Sequence, residues 1–202
     1  MIEIQNLCKK FDDKLLFDQF NCRIDDGEFV VFCGESGCGK TTLLNMIGCL
    51  EKPDSGAIFI DGVDVVHLKN KRKLFYYKFG FLFQNFALLE GKTVAENLRL
   101  IQKKARTEKS MEEVLEDVGL LDKRNTRIYK LSGGEQQRVA LARLMLKKCD
   151  IILADEPTGS LDEQNADLVM EILHQINQMG KIVILVTHSP RIIEREKRVI
   201  KL

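Results

Sequence analysis

Two short stretches of this chain have the residue types and spacing to hold phosphate. Residues 34–41 read GESGCGKT and fit the pattern G-x-x-x-x-G-K-[ST]. Glycines clear side chains from a ligand's path, so backbone N–H groups from Gly34 through Glu35, Ser36, Gly37, Cys38 and Gly39 to Lys40 can wrap a di- or triphosphate. Lys40 places a point charge on the β- and γ-phosphates, Thr41 offers a hydroxyl to Mg²⁺, and Thr42 supports the α-phosphate region. Cys38 stands where serine is common, at a position that contributes mainly its backbone. Far downstream, residues 131–135 read LSGGE. Ser132 is a good helix N-cap, Gly133 and Gly134 let the backbone approach a ligand, and Glu135 opens a stretch without Gly or Pro. Such a helix start is a ready anion site. One nucleotide seldom needs two such sites on one small chain. The economical reading is two copies meeting head to tail, each nucleotide lying between one copy's loop and the other's LSGGE.

Other candidate groups follow apolar runs. Asp155 and Glu156 end the run IILA, where a carboxylate beside the strand of the phosphate loop can hold Mg²⁺ through water. Glu156 can polarise an attacking water as general base. His188 comes just after IVILV, placed to hydrogen-bond a γ-phosphate and hold that water in line. His67 and His174 have no such position and read as structural. Ser160, Leu161 and Asp162 form a turn, with Asp162 both an N-cap for the next helix and a contact across a dimer. Phe11 is a candidate to stack on adenine; Phe17 and Phe20 are nearby, and core is the competing role for any of the three.

The elements that must position these groups alternate strand and helix. Strands are expected over Ile2 to Leu7, Cys22 to Ile24, Phe29 to Cys33, Ala57 to Ile60 with a turn at Asp61-Gly62, Phe79 to Phe83, Ile151 to Ala154 and Ile182 to Val186. Helices are expected from Lys40 to about Cys49, Glu135 to Lys148, and Asp162 to Met179. From Thr93 to about Gly119 the pattern is helical and charged, with a break near Arg106 to Ser110. Gln102 to Lys109 and Arg191 to Arg198 read as solvated helical faces. Buried strand runs separated by helices favour a parallel sheet covered on both faces. The expected fold is α/β, in one domain spanning 1–202. Its core covers about 1–90 and 149–202, and a helical subdomain is inserted over about 91–148.

Bulk properties narrow the partners. With 31 basic and 30 acidic side chains the surface is mixed, so no nucleic acid is expected as a partner. Six cysteines without a C-x-x-C pair point to free thiols in a reducing compartment. No signal peptide is seen, and no apolar run reaches the roughly 18–20 residues that span a bilayer. Service to a membrane would therefore go through a separate partner.

The residues together resemble the nucleotide-binding subunits of ATP-binding cassette (ABC) transporters, over essentially the whole chain and in family order: Phe11, the 34–41 P-loop, Gln84, LSGGE, Asp155-Glu156, the SLD turn and His188. The resemblance implies a P-loop ABC cassette with an antiparallel β subdomain, ATP and Mg²⁺ as cofactors, and a nucleotide-sandwich homodimer driving an integral-membrane permease from the cytoplasmic face. It also implies that Gln84 contacts Mg²⁺ or the attacking water. Phe86, Leu88 and Leu89 read either as ordinary core or as a partly exposed apolar surface that receives a membrane subunit. FGFLFQNFALL, TVAENL and DEPTGSLD resemble the branch of macrolide and antimicrobial-peptide exporters, the lipoprotein-release ATPase and the cell-division ATPase. Export of a peptide, bacteriocin or lipoprotein-type substrate is the implied task. Mechanotransmission without transport, or a soluble ATPase acting on ribosomes or DNA, are the alternatives. Phe11 departs from the commoner tyrosine, and the chain is short after His188.

Overall fold

The structure, a computed structural model, describes residues 1–12, 14–159 and 161–202; Ser160 of the SLD turn lies outside the described residues. Its centre is a parallel sheet of β3 (Phe29–Cys33), β6 (Phe79–Leu82), β7 (Ile151–Asp155), β8 (Ile182–Val186) and β9 (Val199–Lys201), in the order β6-β7-β8-β3-β9. Every residue of β7 and β8 is buried, as their continuous apolar runs require. Beside it, β1 (Ile2–Phe11), β2 (Lys14–Ile24), β4 (Ser55–Ile60) and β5 (Val63–Asp64) form an antiparallel sheet ordered β2-β1-β4-β5.

Side chains alternating across the parallel sheet create two cores. Val30, Phe32, Ile151, Leu153, Ile182, Ile184 and Val186 face the antiparallel sheet and α1 (Lys40–Ile47). Val31, Ile152, Ala154, Val183 and Leu185 face the opposite way, toward α5 (Gly133–Leu146) and α6 (Glu163–Gln178). Between β6 and β7 the chain is helical: α3 (Val94–Arg99), α4 (Met111–Asp117) and α5 pack on that second core through Val94, Leu98, Val114, Leu115 and Val139. Capping boxes start all three, pairing Thr93 with Glu96, Ser110 with Glu113 and Ser132 with Glu135.

Some expectations need correcting. β1 and β2 run well past the apolar residues that announce them. The hairpin supplies the pairing there, and Lys9 is buried on an ion pair with Glu51 (2.6 Å). Gln102 to Lys109 is no helical face: a single 3₁₀ turn at Lys103–Ala105 buries Ala105, and Thr107 N donates to Leu146 O (2.9 Å), lashing the segment to the end of α5. In the Arg191 to Arg198 stretch, α7 (Pro190–Ile193) is only four residues long, and the arginines reach other elements. Arg191 pairs with Asp167 (2.6 Å), and Arg198 pairs with Glu28. Finally, β7 does not lie beside β3; β8 separates them. Helix α2 (Arg72–Tyr77), β5 and β9 are too short to announce themselves in the sequence.

The antiparallel sheet folds closely at Gly56, whose φ is +89° and where a Cβ would lie 2.4 Å from Asn6 O. Backbone cannot yield as a side-chain tip can. Gly56→Ala is expected to cost about 2–4 kcal/mol through left-handed strain plus overpacking, read from the urea midpoint of unfolding.

Candidate active site

The phosphate loop owes its shape to what it lacks. Gly37 (φ +77°) and Gly39 (φ +103°) adopt left-handed backbone, and α1 starts at Gly39 with no side-chain cap. The first-turn N–H groups of α1 are therefore left to a ligand, whereas α3, α4 and α5 each tie up the N-cap and third-residue N–H groups in a capping box. Lys40 is buried, and its Nζ donates to Gly34 O (2.9 Å) and Glu35 O (2.8 Å). The Cys38 side chain lies against Gly34, where an added Cβ would come within 2.8 Å of its Sγ, and Cys38 does not line the cleft.

A cleft of about 520 Å³ opens over this loop, lined by Gly34, Glu35, Ser36, Gly37, Gly39, Lys40, Thr41, Thr42, Leu16, Gln84, Glu156 and His188. Although β8 separates β7 from β3, Asp155 reaches the loop because α1 runs back across the sheet and packs on both β7 and β8. The Thr41 hydroxyl donates to Asp155 Oδ1 at 2.9 Å. Burial raises the Asp155 carboxyl above the usual carboxylate range; the neighbouring Glu156 charge adds to this, while the Thr41 hydrogen bond and Lys40 oppose it.

Glu156 holds a left-handed backbone (φ +44°), a conformation that costs a residue with a Cβ about 1–2 kcal/mol. Hydrogen bonds hold it there: its N–H donates to Val186 O (3.0 Å), and Gly159 N–H donates to its carbonyl (3.2 Å). Its carboxylate is held at both oxygens, Oε1 against His188 Nδ1 (2.7 Å) and Oε2 by the Thr187 hydroxyl (3.1 Å). Thr187 is fully buried. Sequence reasoning passed over it, though a polar residue between an apolar strand and His188 was a usable signal. The structure thus gathers Lys40, Thr41, Thr42, Glu156, His188 and Gln84 around one cleft, with Asp155 bonded to Thr41 of its lining.

It leaves the others elsewhere. Phe11 is exposed at the end of β1, with Lys9 Nζ 4.7 Å from its ring centroid, and Leu16 is the apolar residue on the cleft wall. Ser132, Gly133, Gly134 and Glu135 start α5 away from the cleft lining. Their capping box uses the N–H groups of Ser132 and Glu135 and does not take those of the two glycines between them. Asp162 caps α6 by accepting from Asn165 N (2.8 Å), and its hydrogen bonds from Asn165 hold its carboxyl below the usual range. After Gln84, Phe86 (φ +60°) and Ala87 (φ +47°) are both left-handed, with their carbonyls held by Arg143 (2.8 and 2.5 Å).

A family model described as ABC transporter matches residues 17–159. The chain belongs to the ABC transporter family. It is an ABC ATPase cassette, with the fold of a nucleotide-binding subunit. Among curated ABC relatives, the macrolide export ATP-binding/permease protein MacB of Campylobacter jejuni is 39% identical over 212 residues, covering 100% of this chain and 33% of the relative. The chain therefore spans a third of that protein's length. An uncharacterized ABC transporter ATP-binding protein of Methanocaldococcus jannaschii, MJ1508, is 38% identical and is covered over 95% of its length. Among solved structures, the dimeric ABC cassette MJ0796 superposes with a TM-score of 0.88 at 38% identity, covering 100% of this chain and 94% of that one. A dimeric post-hydrolysis state of MJ0796 bound to ADP and Pi gives 0.86 at 35%, with the same coverage.

The raised Asp155 carboxyl has a thermodynamic consequence for this cassette. Its charged form is disfavoured in the fold, so the cost is fully present above the folded pKa and disappears as pH falls to the unfolded value. Asp155→Asn should raise the melting temperature at neutral pH, with the two proteins converging as pH drops through the carboxylate range. A lower melting temperature for the variant at pH 7 would contradict this.

Proposed function

We propose that this cassette hydrolyses ATP between two head-to-tail copies and so drives a separate membrane permease. The observation that carries this reading is the division of phosphate chemistry between two places. The cleft holds the loop, Glu156 and His188, with Asp155 hydrogen-bonded to Thr41 of its lining, while Ser132 and Gly133 are exposed on a helix start that does not line it. A second copy supplies the missing half. The dimeric MJ0796 structures support a pairing of two copies.

In this mechanism the loop from Gly34 to Thr42 holds the triphosphate, and Lys40 neutralises charge on its β and γ groups. Glu156 accepts a proton from the attacking water, and the Thr187 and His188 contacts keep its carboxylate aimed. His188 and Gln84 orient that water and the γ-phosphate. Ser132, Gly133, Gly134 and Glu135, with Asp162, meet the partner copy's nucleotide side, and Phe11 lies at the adenine end. Mg²⁺ fits the hard oxygen donors Thr41 and Asp155, joined by Gln84, and would stabilise charge on the phosphates.

The permease side is supported by an apolar groove beside the Gln84 segment. Phe75, Phe81, Phe83, Ala87, Leu100 and Ile101 line it, and Leu89 is exposed nearby. Among the described residues no helix is long and apolar enough to cross a membrane. The MacB relatives join ATP-binding and permease parts in one name, and this chain covers a third of them. The helical stretch over about 91–148 would then form a subdomain that supplies one wall of that groove through Leu100, Ile101, Ala105, Arg143 and Lys147. The whole sits at the cytoplasmic membrane face through its permease, exporting a peptide, bacteriocin or lipoprotein-type substrate.

Glu156→Gln should leave ATP affinity within about twofold, cut turnover by about a hundredfold or more, and yield an ATP-dependent dimer on size exclusion. Wild-type turnover would remove Glu156 as the base. Ser132→Arg should abolish turnover while nucleotide affinity of the monomer, measured by equilibrium dialysis, stays near normal. A large loss of that affinity would contradict a contact made across the dimer.

A further inference from the structure

Gln137 lies on α5, two residues after the capping box, and is 1% exposed. Its Nε2 donates to Pro157 O at 2.7 Å, while its Oε1 is buried without a hydrogen-bond partner among the described residues. A half-satisfied amide in a core is costly, and a leucine or methionine would fill the space without that penalty. The amide must therefore do something an apolar side chain cannot. Its acceptor identifies the task, because Pro157 directly follows Glu156 and has no N–H with which to anchor itself. The far end of the same loop is tied to α5 as well. Arg138 Nη1 donates to Asn165 Oδ1 (2.6 Å), Asn165 Nδ2 donates to both carboxylate oxygens of Asp162 (2.9 and 2.8 Å), and a Cβ on Gly134 would stand 3.0 Å from the Asn165 side chain.

We propose that Gln137 is a positioning residue for ATP hydrolysis: its hydrogen bond to Pro157 O fixes the left-handed backbone at Glu156 and so aims the carboxylate that activates water. This rests on the reading of Glu156 as the base. It adds that the helix presenting Ser132 to a partner's nucleotide also supports its own subunit's catalytic carboxylate from behind. Gln137 does not line the nucleotide cleft, so binding and turnover separate.

The test uses the full chain with two substitutions. Gln137→Met keeps the volume and removes the donor. It should lower kcat about ten- to a hundredfold, the scale of a misplaced catalytic group, with KM for ATP within about twofold. Gln137→Glu restores a donor only when its carboxyl is protonated, as burial favours. Its kcat relative to wild type should therefore be highest at low pH and fall as pH rises. Taking that ratio at each pH removes the pH dependence that the two proteins share. Wild-type kcat in the methionine variant, or a pH-independent ratio in the glutamate variant, overturns the proposal. If the methionine variant does not fold, the glutamate ratio decides alone. Glu156→Gln run in parallel separates the two readings: wild-type turnover there removes the base itself, whereas the Gln137 outcomes address only its support.

Discussion

The parallel ladder of β3, β8 and β7 is the constraint on which the rest depends. Each strand ends at the same edge, with Phe29 to Phe32 in register with Val183 to Val186, and Ile151 to Asp155 with Ile182 to Val186. Gly34, His188 and Asp155-Glu156 therefore emerge close together although the chain separates them widely. Everything distinctive about the site follows from that edge: the uncapped start of α1, the hydrogen bond from Thr41 to Asp155, and the carboxylate of Glu156 between Thr187 and His188. Helix α1, packed on β7 and β8, brings the phosphate loop over a strand that is not its neighbour.

Around this edge the molecule keeps several costly arrangements and offsets each locally. Glu156, Phe86 and Ala87 are left-handed without being glycine, and each is clamped by hydrogen bonds to neighbouring elements. Two cations are drawn out of water for this work. Arg143 holds the carbonyls after Gln84, and Lys147 donates to Phe75 O and Phe79 O (both 2.6 Å). Burial lowers the pKa of both groups, so their charge is disfavoured where it stands, and backbone carbonyls take the place of water. Both sit on or beside the last turns of α5, the helix whose first residues are LSGGE. One rigid helix thus meets the Gln84 segment at one end and the Glu156 loop at the other.

The parts legible in the sequence were those with a strong local signature. Phe29 to Cys33 and Ile182 to Val186 form strands with the expected bounds, and Asp162 caps its helix as its residue type suggests. Polar continuation of a hairpin leaves no apolar trace, so the far halves of β1 and β2 were hidden. Strand order is a tertiary property, and no residue announces that β8 inserts between β3 and β7. Gln137 and Thr187 escaped notice because their importance lies in what stands opposite them. Phe11 shows the reverse limit: its place in the chain suggested a role that its exposed position on β1 does not by itself express.

The capping box at Ser132 says what kind of atom that helix start will accept. A hydroxyl has one proton to give and two lone pairs to receive with. One lone pair is already engaged by Glu135 N–H, and the Glu135 carboxylate holds the backbone N–H of Ser132. The helix therefore keeps its cap whether or not anything docks. What the turn can still offer is donors: the Ser132 proton and the N–H groups of Gly133 and Gly134. A group bearing only lone pairs is welcomed there, and one that must itself donate finds little to receive it.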